Sequence, residues 1–367
     1  MIETIKDGEV DLYEDFDNRY LRRDRRFDIE RDALNRIPVI DIAPFIQDGS
    51  VAARQRVGRE IRKACIDVGF FYLSGHGIPA TELDEAITWG HRFFELPLEE
   101  KMAVHTTGTG APGFMRVGGI DPEANPDKAA DLKERFIMSR ELFPDEPAEG
   151  WRAAGLSQWP SERVLPGFAS FMRAHLAKRV VLAQRVARAF AFSLELPEHY
   201  FDAMFRHLGV VSIINYYPPL DPTAVKRTQW SFSPHTDYGA FTLLSQDRLG
   251  GLQVRNSDGQ WIDVPPIPDT FVVNLGDLMA TWSNDLFTSN LHRAANVSDT
   301  ARISIPFFVA PQGATVIRCL DTCQGPGNPP RYDPVTAGDY VRTLLEQSGR
   351  TGRPGVAVRT AERFRNV

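Results

Sequence analysis

The stretch Ser-Pro-His-Thr-Asp-Tyr-Gly-Ala-Phe-Thr-Leu-Leu-Ser-Gln-Asp, residues 233 to 247, decides the reading of this chain. It opens with a histidine and an aspartate two positions apart and runs on into an apolar, β-rich segment. On a strand, side chains at i and i+2 share a face, so His235 and Asp237 are expected to project together. Beyond Leu208 similar runs follow in close succession: VVSIINYY, FTLLSQ, GLQVRNSDGQWIDV, TFVVNLGD, ISIPFFVA and TVIRCL, separated by turn signals such as Ser-Asp-Gly-Gln. Strands at such short intervals imply an antiparallel sandwich or jelly-roll barrel, not alternating β-α units. The expected fold class is mainly β with α additions: a double-stranded β-helix (jelly-roll) barrel backed by helices.

Upstream of this region the texture differs. Residues 1 to 36 carry both charge signs and few large apolar side chains, so they read as a charged N-terminal arm. Ile37 to Phe45, IPVIDIAPF, reads as a strand. Val57, Ile61, Ala64, Cys65 and Val68 recur at helical spacing before Gly69, and the aromatic strand FFYLSGHG follows. TTGTGAPGFMRVGGIDPEANPD is loaded with glycine and proline and predicts a long, lid-like loop, not a regular element. Apolar positions from Phe168 to Leu196, interleaved with Arg and Lys, predict a long amphipathic helix that Pro197 ends and that lies against a sheet. The chain thus divides into the arm, an amino-terminal segment over 37–165 that holds the lid, a β-rich region with its backing helix over 166–345, and a tail over 346–367. Length alone is equally compatible with two domains or one elaborated barrel.

Composition narrows the function classes. Of 367 residues 43% are hydrophobic and 25% charged, and 42 Lys and Arg against 48 Asp and Glu leave a formal charge of −6. Phosphate-backbone binders need the opposite balance, so nucleic acid is not expected as a partner. No apolar run reaches membrane-spanning length and the acidic start lacks a secretory core, which predicts no membrane partner and a cytoplasmic protein. Three cysteines, Cys65, Cys319 and Cys323, cannot make a disulfide framework and fit a reducing compartment; the C-x-x-x-C pair has no second pair to complete a zinc site and is read as structural. No glycine motif of the dinucleotide or P-loop type opens a helix. Oligomeric state is left open.

Among eight histidines most stand alone, and His76, in Gly-His-Gly, reads as part of a tight turn. His235 with Asp237 begins a mixed nitrogen and oxygen metal site, and His292 is the second histidine candidate. Downstream, Arg302 and Ser304 share strand parity. A guanidinium and a hydroxyl on one inward face make a receptor for a carboxylate, unless the arginine has an internal acidic partner. Two histidines and one carboxylate leave metal positions open for substrate and oxygen, the arrangement associated with non-haem iron(II) oxygenases.

Together these features resemble the iron(II)/2-oxoglutarate-dependent dioxygenases, in the branch that includes isopenicillin N synthase. The resemblance runs from about Ile37 to Tyr340. It is carried by IPVIDI, Ser-Gly-His-Gly-Ile at 74 to 78, Asp-Leu-Lys-Glu-Arg-Phe at 131 to 136, Asn215-Tyr216-Tyr217-Pro218-Pro219, HTDYGAFTLLSQD, GGLQV, DGQWIDV, FVVNLGD, HRA and RISIPFF, in the family's order. It implies that His235, Asp237 and His292 ligate Fe(II), that Arg302 and Ser304 hold the distal carboxylate of 2-oxoglutarate, and that Asn215 and Tyr217 support this co-substrate. The implied reaction uses O2, releases succinate and CO2, and oxidises a small organic metabolite, most often by hydroxylation. Isopenicillin N synthase carries the same Arg-x-Ser pair without using 2-oxoglutarate, so an oxidase or cyclase of that kind, or a non-catalytic ligand-binding barrel, stands as the alternative. His-Arg-Ala replaces the more usual His-Arg-Val, a change expected to touch packing only.

Parity also proposes a pocket. From Arg302 the inward positions are Pro306, Phe308 and Ala310; from His235 they are Gly239, Phe241 and Leu243. Phe114 and Arg116 are expected on the lid, with Arg116 a candidate anchor for an acidic substrate. Phe114, Arg116, Phe241 and Phe308 are thus the candidate substrate contacts.

Overall fold

The computed structural model describes residues 37–106, 112–116, 133–141, 157–219, 231–255, 260–294 and 299–351. The charged arm, most of the lid-like segment and the tail beyond Thr351 lie outside them. The amino-terminal half contains β1 (Val39–Asp41), α1 (Ala43–Ile46), α2 (Val51–Asp67), β2 (Phe70–Ser74), α3 (Ala80–Phe94), α4 (Leu98–Met102), β3 (Gly113–Met115), β4 (Glu134–Ser139) and α5 (Phe168–Ser193). The β-rich half follows as β5 (Gly209–Tyr217), β6 (Phe232–His235), β7 (Phe241–Gln246), β8 (Leu252–Arg255), β9 (Trp261–Asp263) and β10 (Phe271–Leu275). A short α6 (Asp277–Trp282) leads to β11 (His292–Ala294), β12 (Arg302–Ala310), β13 (Val316–Ile317), β14 (Val335–Thr336) and α7 (Ala337–Thr351).

An eight-stranded sheet runs in the order β1-β2-β10-β7-β12-β5-β4-β3, and a four-stranded sheet in the order β6-β11-β8-β9. All described strand-to-strand pairings are antiparallel except β1 with β2, and an isolated parallel bridge joins His105 to Phe114. The large sheet draws β1 to β4 from the amino-terminal segment and the rest from the β-rich half, so the two segments share one sheet. Alternation along its strands sorts the side chains. Ile303, Ile305, Phe307 and Val309 of β12 and Phe241 and Leu243 of β7 join the core shared with the helices, whereas Phe70, Tyr72, Leu244 and Val272 join a second core with Leu252 and Val254 of the small sheet and Val264 just after it. The molecule is a sheet-rich sandwich with helices on the outer face of the larger sheet.

Local signals account for the helix ends. Ser50 caps α2 by accepting from the Ala53 N–H at 3.3 Å, and Gly69, at φ 73°, turns the chain into β2. The long helix stops at Ser193, three residues before the expected Leu196. Leu196 N–H bonds the Ala191 carbonyl and Glu195 N–H the Phe192 carbonyl, a Schellman closure that puts Glu195 at φ 59°. The helix therefore ends before Pro197 can clash with it. Within the segment expected as loop throughout, Gly113–Met115 is instead a strand. Phe114 N–H bonds the Val104 carbonyl, Thr106 N–H bonds the Phe114 carbonyl, and β3 pairs along β4.

Two ionisable side chains of α5 are buried. Arg179 donates from Nη2 to the carbonyls of Leu243 and Ile305, the latter at 3.2 Å, with its guanidinium over Phe271 and Phe307; this ties the helix to β7 and β12, and burial pushes the guanidinium down to about 9. One turn earlier, His175 Nδ1–H donates to Glu82 at 2.9 Å. Burial, then the neighbouring Arg179 charge, lowers the His175 imidazole from 6.5 to about 4. The folded chain thus holds His175 neutral where the unfolded chain protonates it, so stability present above about pH 6.5 is lost as pH falls toward 4. His175→Gln keeps a donor for Glu82 without titrating, and thermal melts of this variant are expected to depend less on pH across that window. An unchanged slope would assign the acid sensitivity elsewhere.

Candidate active site

β6 and β11 place His235 and His292 as direct register partners, with ring centroids 4.3 Å apart. Asp237 follows β6 in a turn that is bolted to the start of α6: Asp277 N–H bonds the Asp237 carbonyl at 2.8 Å and Leu278 N–H the Gly239 carbonyl at 3.2 Å. Gly276 permits this approach, since a Cβ there would stand 2.2 Å from the Gly239 oxygen. Asp237 Oδ1 lies 3.8 Å from His235 Nε2 and 3.6 Å from His292 Nε2. All three residues are buried, and their ligand atoms lie within 4.8 Å of one another.

The surroundings fix which atoms face inward. Asp237 Oδ2 accepts hydrogen bonds from Thr242 Oγ1 at 2.5 Å and Asn274 Nδ2 at 2.6 Å, leaving Oδ1 turned to the histidines. His292 Nδ1 meets the Asn290 carbonyl at 3.2 Å, which selects the tautomer with a free Nε2 lone pair. Phe232 stacks on His235 and Phe70 packs its edge against His292. Two imidazole nitrogens and one oriented carboxylate oxygen, buried and converging, fit a first-row divalent metal with open positions. Thr242→Val or Asn274→Leu is expected to weaken Fe(II) affinity by about 10- to 100-fold, as measured by anaerobic metal titration. Wild-type affinity in both would show that these bonds do not orient Asp237.

The metal-facing atoms open onto a small cavity of about 40 Å³ walled by Asn215, Tyr217, Arg302, Ser304, Pro306 and Phe308, among others. Register places Arg302 opposite Tyr217 and Ser304 opposite Asn215. Arg302 is buried, donates from Nε to the Gly250 carbonyl and from Nη2 to Gln246 at 3.1 Å, and lies over the Tyr217 ring; Tyr217 Oη and Ser304 Oγ are 3.3 Å apart. Arg302 Nη1 and Asn215 Oδ1 are buried without a hydrogen-bond partner. No acidic residue among those described pairs with Arg302, so the internal ion pair that sequence left open is not formed there. A buried guanidinium nitrogen with no partner fits an incoming carboxylate.

The structure brings His235, Asp237, His292, Arg302, Ser304, Asn215, Tyr217 and Phe308 to one cavity. It sends three of the four expected pocket residues elsewhere. Phe241 faces the helices and packs on Phe190 and Phe205, because the turn at Tyr238 to Ala240 resets the strand parity; Thr242 and Leu244 line the cavity instead. Phe114 is fully buried against Phe93 and Phe94. Arg116 is exposed at the end of a described segment and is not on the cavity wall. His76 is structural as expected: Nδ1 accepts from Ile78 N–H and Nε2 meets the Asp269 carbonyl, each at 3.2 Å. Cys65, Cys319 and Cys323 are buried and unpaired, and burial pushes the Cys319 thiol up to about 11. Sequence reasoning missed Thr242, Asn274 and Phe232. The available signal was a lone polar residue in each of the apolar runs FTLL and FVVNL.

A two-sheet fold with a buried His-Asp-His triad and an unpartnered buried guanidinium nitrogen beside it fits a mononuclear non-haem metal enzyme with an acidic co-substrate. Comparison with known proteins identifies it further. Residues 37–162 match the family described as non-haem dioxygenase in morphine synthesis N-terminal, and residues 209–311 match the 2OG-Fe(II) oxygenase superfamily. A 2-oxoglutarate-Fe(II) type oxidoreductase, ppzC, of Metarhizium majus is 36% identical over 338 residues, 86% of this chain and 88% of the relative. The crystal structure of a full-length Neurospora crassa protein in complex with alpha-KG superposes with a TM-score of 0.77 at 30% identity, covering 87% of this chain and 98% of that one. JOX2 in complex with 2OG, Fe and JA gives a TM-score of 0.71 at 26% identity over 94% and 96% of the two chains. The chain belongs to the 2OG-Fe(II) oxygenase family and is a 2-oxoglutarate- and Fe(II)-dependent dioxygenase. Among the described residues no helix is long and apolar enough to cross a membrane.

Proposed function

We propose that His235, Asp237 and His292 hold Fe(II), that Arg302 and Ser304 bind the distal carboxylate of 2-oxoglutarate with Asn215 and Tyr217 in support, and that the enzyme hydroxylates a small organic substrate in the cavity beside Phe308. The observation that carries this reading is the pairing of a converged, oriented ligand set with a buried, unpartnered Arg302 Nη1 on the same cavity wall. When bound, iron and 2-oxoglutarate supply the oxidising chemistry: O2 is reduced as the oxoacid becomes succinate and CO2, and the remaining oxidising equivalent attacks a substrate C–H bond.

The chain's own residues bind, orient and shield. Thr242 and Asn274 hold the Asp237 carboxylate so that one oxygen faces the metal position. Arg302, fixed by Gly250 and Gln246, keeps its third nitrogen for the co-substrate, and the Ser304 hydroxyl adds a donor beside it. Pro306 and Phe308 give the remaining wall an apolar surface that suits a small organic molecule. The finer architecture we assign is the jelly-roll, with the segment over 37–165 and the region over 166–345 acting as one catalytic unit through their common sheet. The buried, unpaired cysteines favour a cytoplasmic setting.

Anaerobic Fe(II) reconstitution followed by 2-oxoglutarate is expected to give the weak visible charge-transfer band of the chelate, and oxygen is then expected to release succinate. A protein that takes iron but gives neither band nor succinate would instead support an oxidase independent of the oxoacid.

A further inference from the structure

A dioxygenase that consumes O2 and the oxoacid before its primary substrate has entered generates an oxidising equivalent with no substrate bond to attack. The side chains on the cavity wall then decide what is oxidised. Beyond the polar groups that face the metal and the co-substrate, that wall is made of Phe232, Leu244, Leu252, Pro306 and Phe308, with Ala294 beside them. Phe232 touches the ligand set itself. Its ring is stacked on the imidazole of His235, with centroids 4.0 Å apart and planes 22° from parallel. β6 carries both residues, and β11 faces them with Ala294 opposite Phe232 and His292 opposite His235.

Several features leave this ring open to attack. Phe232 is half-buried, and its cross-strand partner Ala294 offers only a methyl group, so β11 does not cover the ring. The Lys133 ammonium lies over the ring, and this contact together with the His235 stack holds it in place at the cavity. Other aromatic side chains near the ligands are placed differently. Phe70 meets His292 with centroids 5.5 Å apart, but it is wholly buried in the second core and is not on the cavity wall. Tyr217 lies under the Arg302 guanidinium and meets Ser304, at the co-substrate end. Phe308 stands on β12 beyond Ser304 and Pro306.

We propose that Phe232 is a modification site: when no primary substrate is bound, the enzyme hydroxylates the ring of its own Phe232. The balance is that of the reaction on a substrate. The Phe232 ring, 2-oxoglutarate and O2 give hydroxylated Phe232, succinate and CO2, with one oxygen atom entering the ring and the other the new carboxylate of succinate. One ring C–H bond and the C1–C2 bond of the oxoacid break, a ring C–O bond forms, and the displaced hydrogen is matched by the one on the new hydroxyl. The oxoacid and the ring each give up an electron pair, and O2 takes both pairs. The inference rests on the dioxygenase reading of the site and adds what the chain does to itself when turnover runs without substrate. A bound primary substrate shields the ring, because its reacting carbon and Phe232 compete for the same oxidising equivalent.

The test uses the full chain loaded anaerobically with Fe(II) and 2-oxoglutarate and then given O2 with no other substrate. The protein is afterwards unfolded, stripped of metal, digested, and its peptides fragmented in a mass spectrometer to locate any added oxygen. A gain of one oxygen atom on Phe232 is expected, with none when O2 or the oxoacid is withheld. Phe232→Leu, run to an equal yield of succinate, is expected to lose the mark. A second arm supplies Fe(II) and hydrogen peroxide without the oxoacid. Peroxide oxidises side chains beside the metal whether or not the chain is a dioxygenase, and Phe232 is expected among those marked. Succinate release with Phe232 unmarked, a mark confined to other residues, or a peroxide arm that spares Phe232 would each overturn the inference. Phe232 marked by peroxide in a chain that gives neither visible band nor succinate would instead bring down the dioxygenase reading, and self-hydroxylation with it, so the two failures are distinct.

Discussion

Asp237→Ala is expected to lose Fe(II) binding and turnover together, by more than about a hundredfold, because loss of a direct ligand exceeds the cost of losing a supporting contact. Two imidazoles remain after the change, but neither supplies the negative charge that balances a divalent ion in this buried setting. The variant also strips Thr242 and Asn274 of their common acceptor. Each buried donor left without a partner costs about 1–3 kcal/mol, so a lower melting temperature is expected alongside the loss of metal. Metal titration on the folded fraction separates the two effects. Full activity in this variant would remove the metal assignment altogether.

Arg302→Met carries the second large effect. In the folded chain this guanidinium is placed by Gly250, Gln246 and the face of Tyr217, and its remaining nitrogen is buried with nothing to bond. Truncating one partner of a buried charge pair typically costs about 2–5 kcal/mol, or roughly 30- to 4000-fold in affinity. The KM for 2-oxoglutarate should rise by that order, while Fe(II) affinity without the oxoacid should change little, since Arg302 contacts no metal ligand in the described structure. Anaerobic titration of the visible band against 2-oxoglutarate measures the first, and metal titration the second. Unaltered affinity for the oxoacid would place its distal carboxylate elsewhere.

Much of the site was legible because its chemistry lies on strands with simple alternation. Arg302 with Ser304 is an i and i+2 pair on β12 whose parity puts both on a common face, whereas Asp237 lies in the turn beyond β6 and is brought to His235 by its tie to the start of α6. Pro306 and Phe308 followed from Arg302 by the same rule, since β12 runs unbroken to Ala310. The rule failed from His235 because counting passed through the turn at Tyr238 to Ala240, so Phe241 was put on the wrong face. Phe114 was misplaced for another reason: a strand of three residues among glycines and prolines carries no usable period, and only its pairing with β4 turns it into the helix-side core. Thr242 and Asn274 act from neighbouring strands on one carboxylate oxygen, a convergence that exists only after the sheet is assembled. The N-terminal arm and most of the lid-like segment fall outside the described residues.

β7 has no idle side. Phe241 and Leu243 fill the helix-facing core while Thr242 holds the Asp237 carboxylate and Leu244 lines the cavity, and β12 divides in the same manner between Ile303, Ile305 and Phe307 on one side and Arg302, Ser304 and Pro306 on the other. In these strands the residues that make the chain fold and the residues that make it react are neighbours in sequence. Mutational drift is therefore closed to both alternating sets at once, by stability on one side and by activity on the other. New substrate preferences have to be found by substitution at the margins of the sheet, and the central pair of strands passes through such change unaltered.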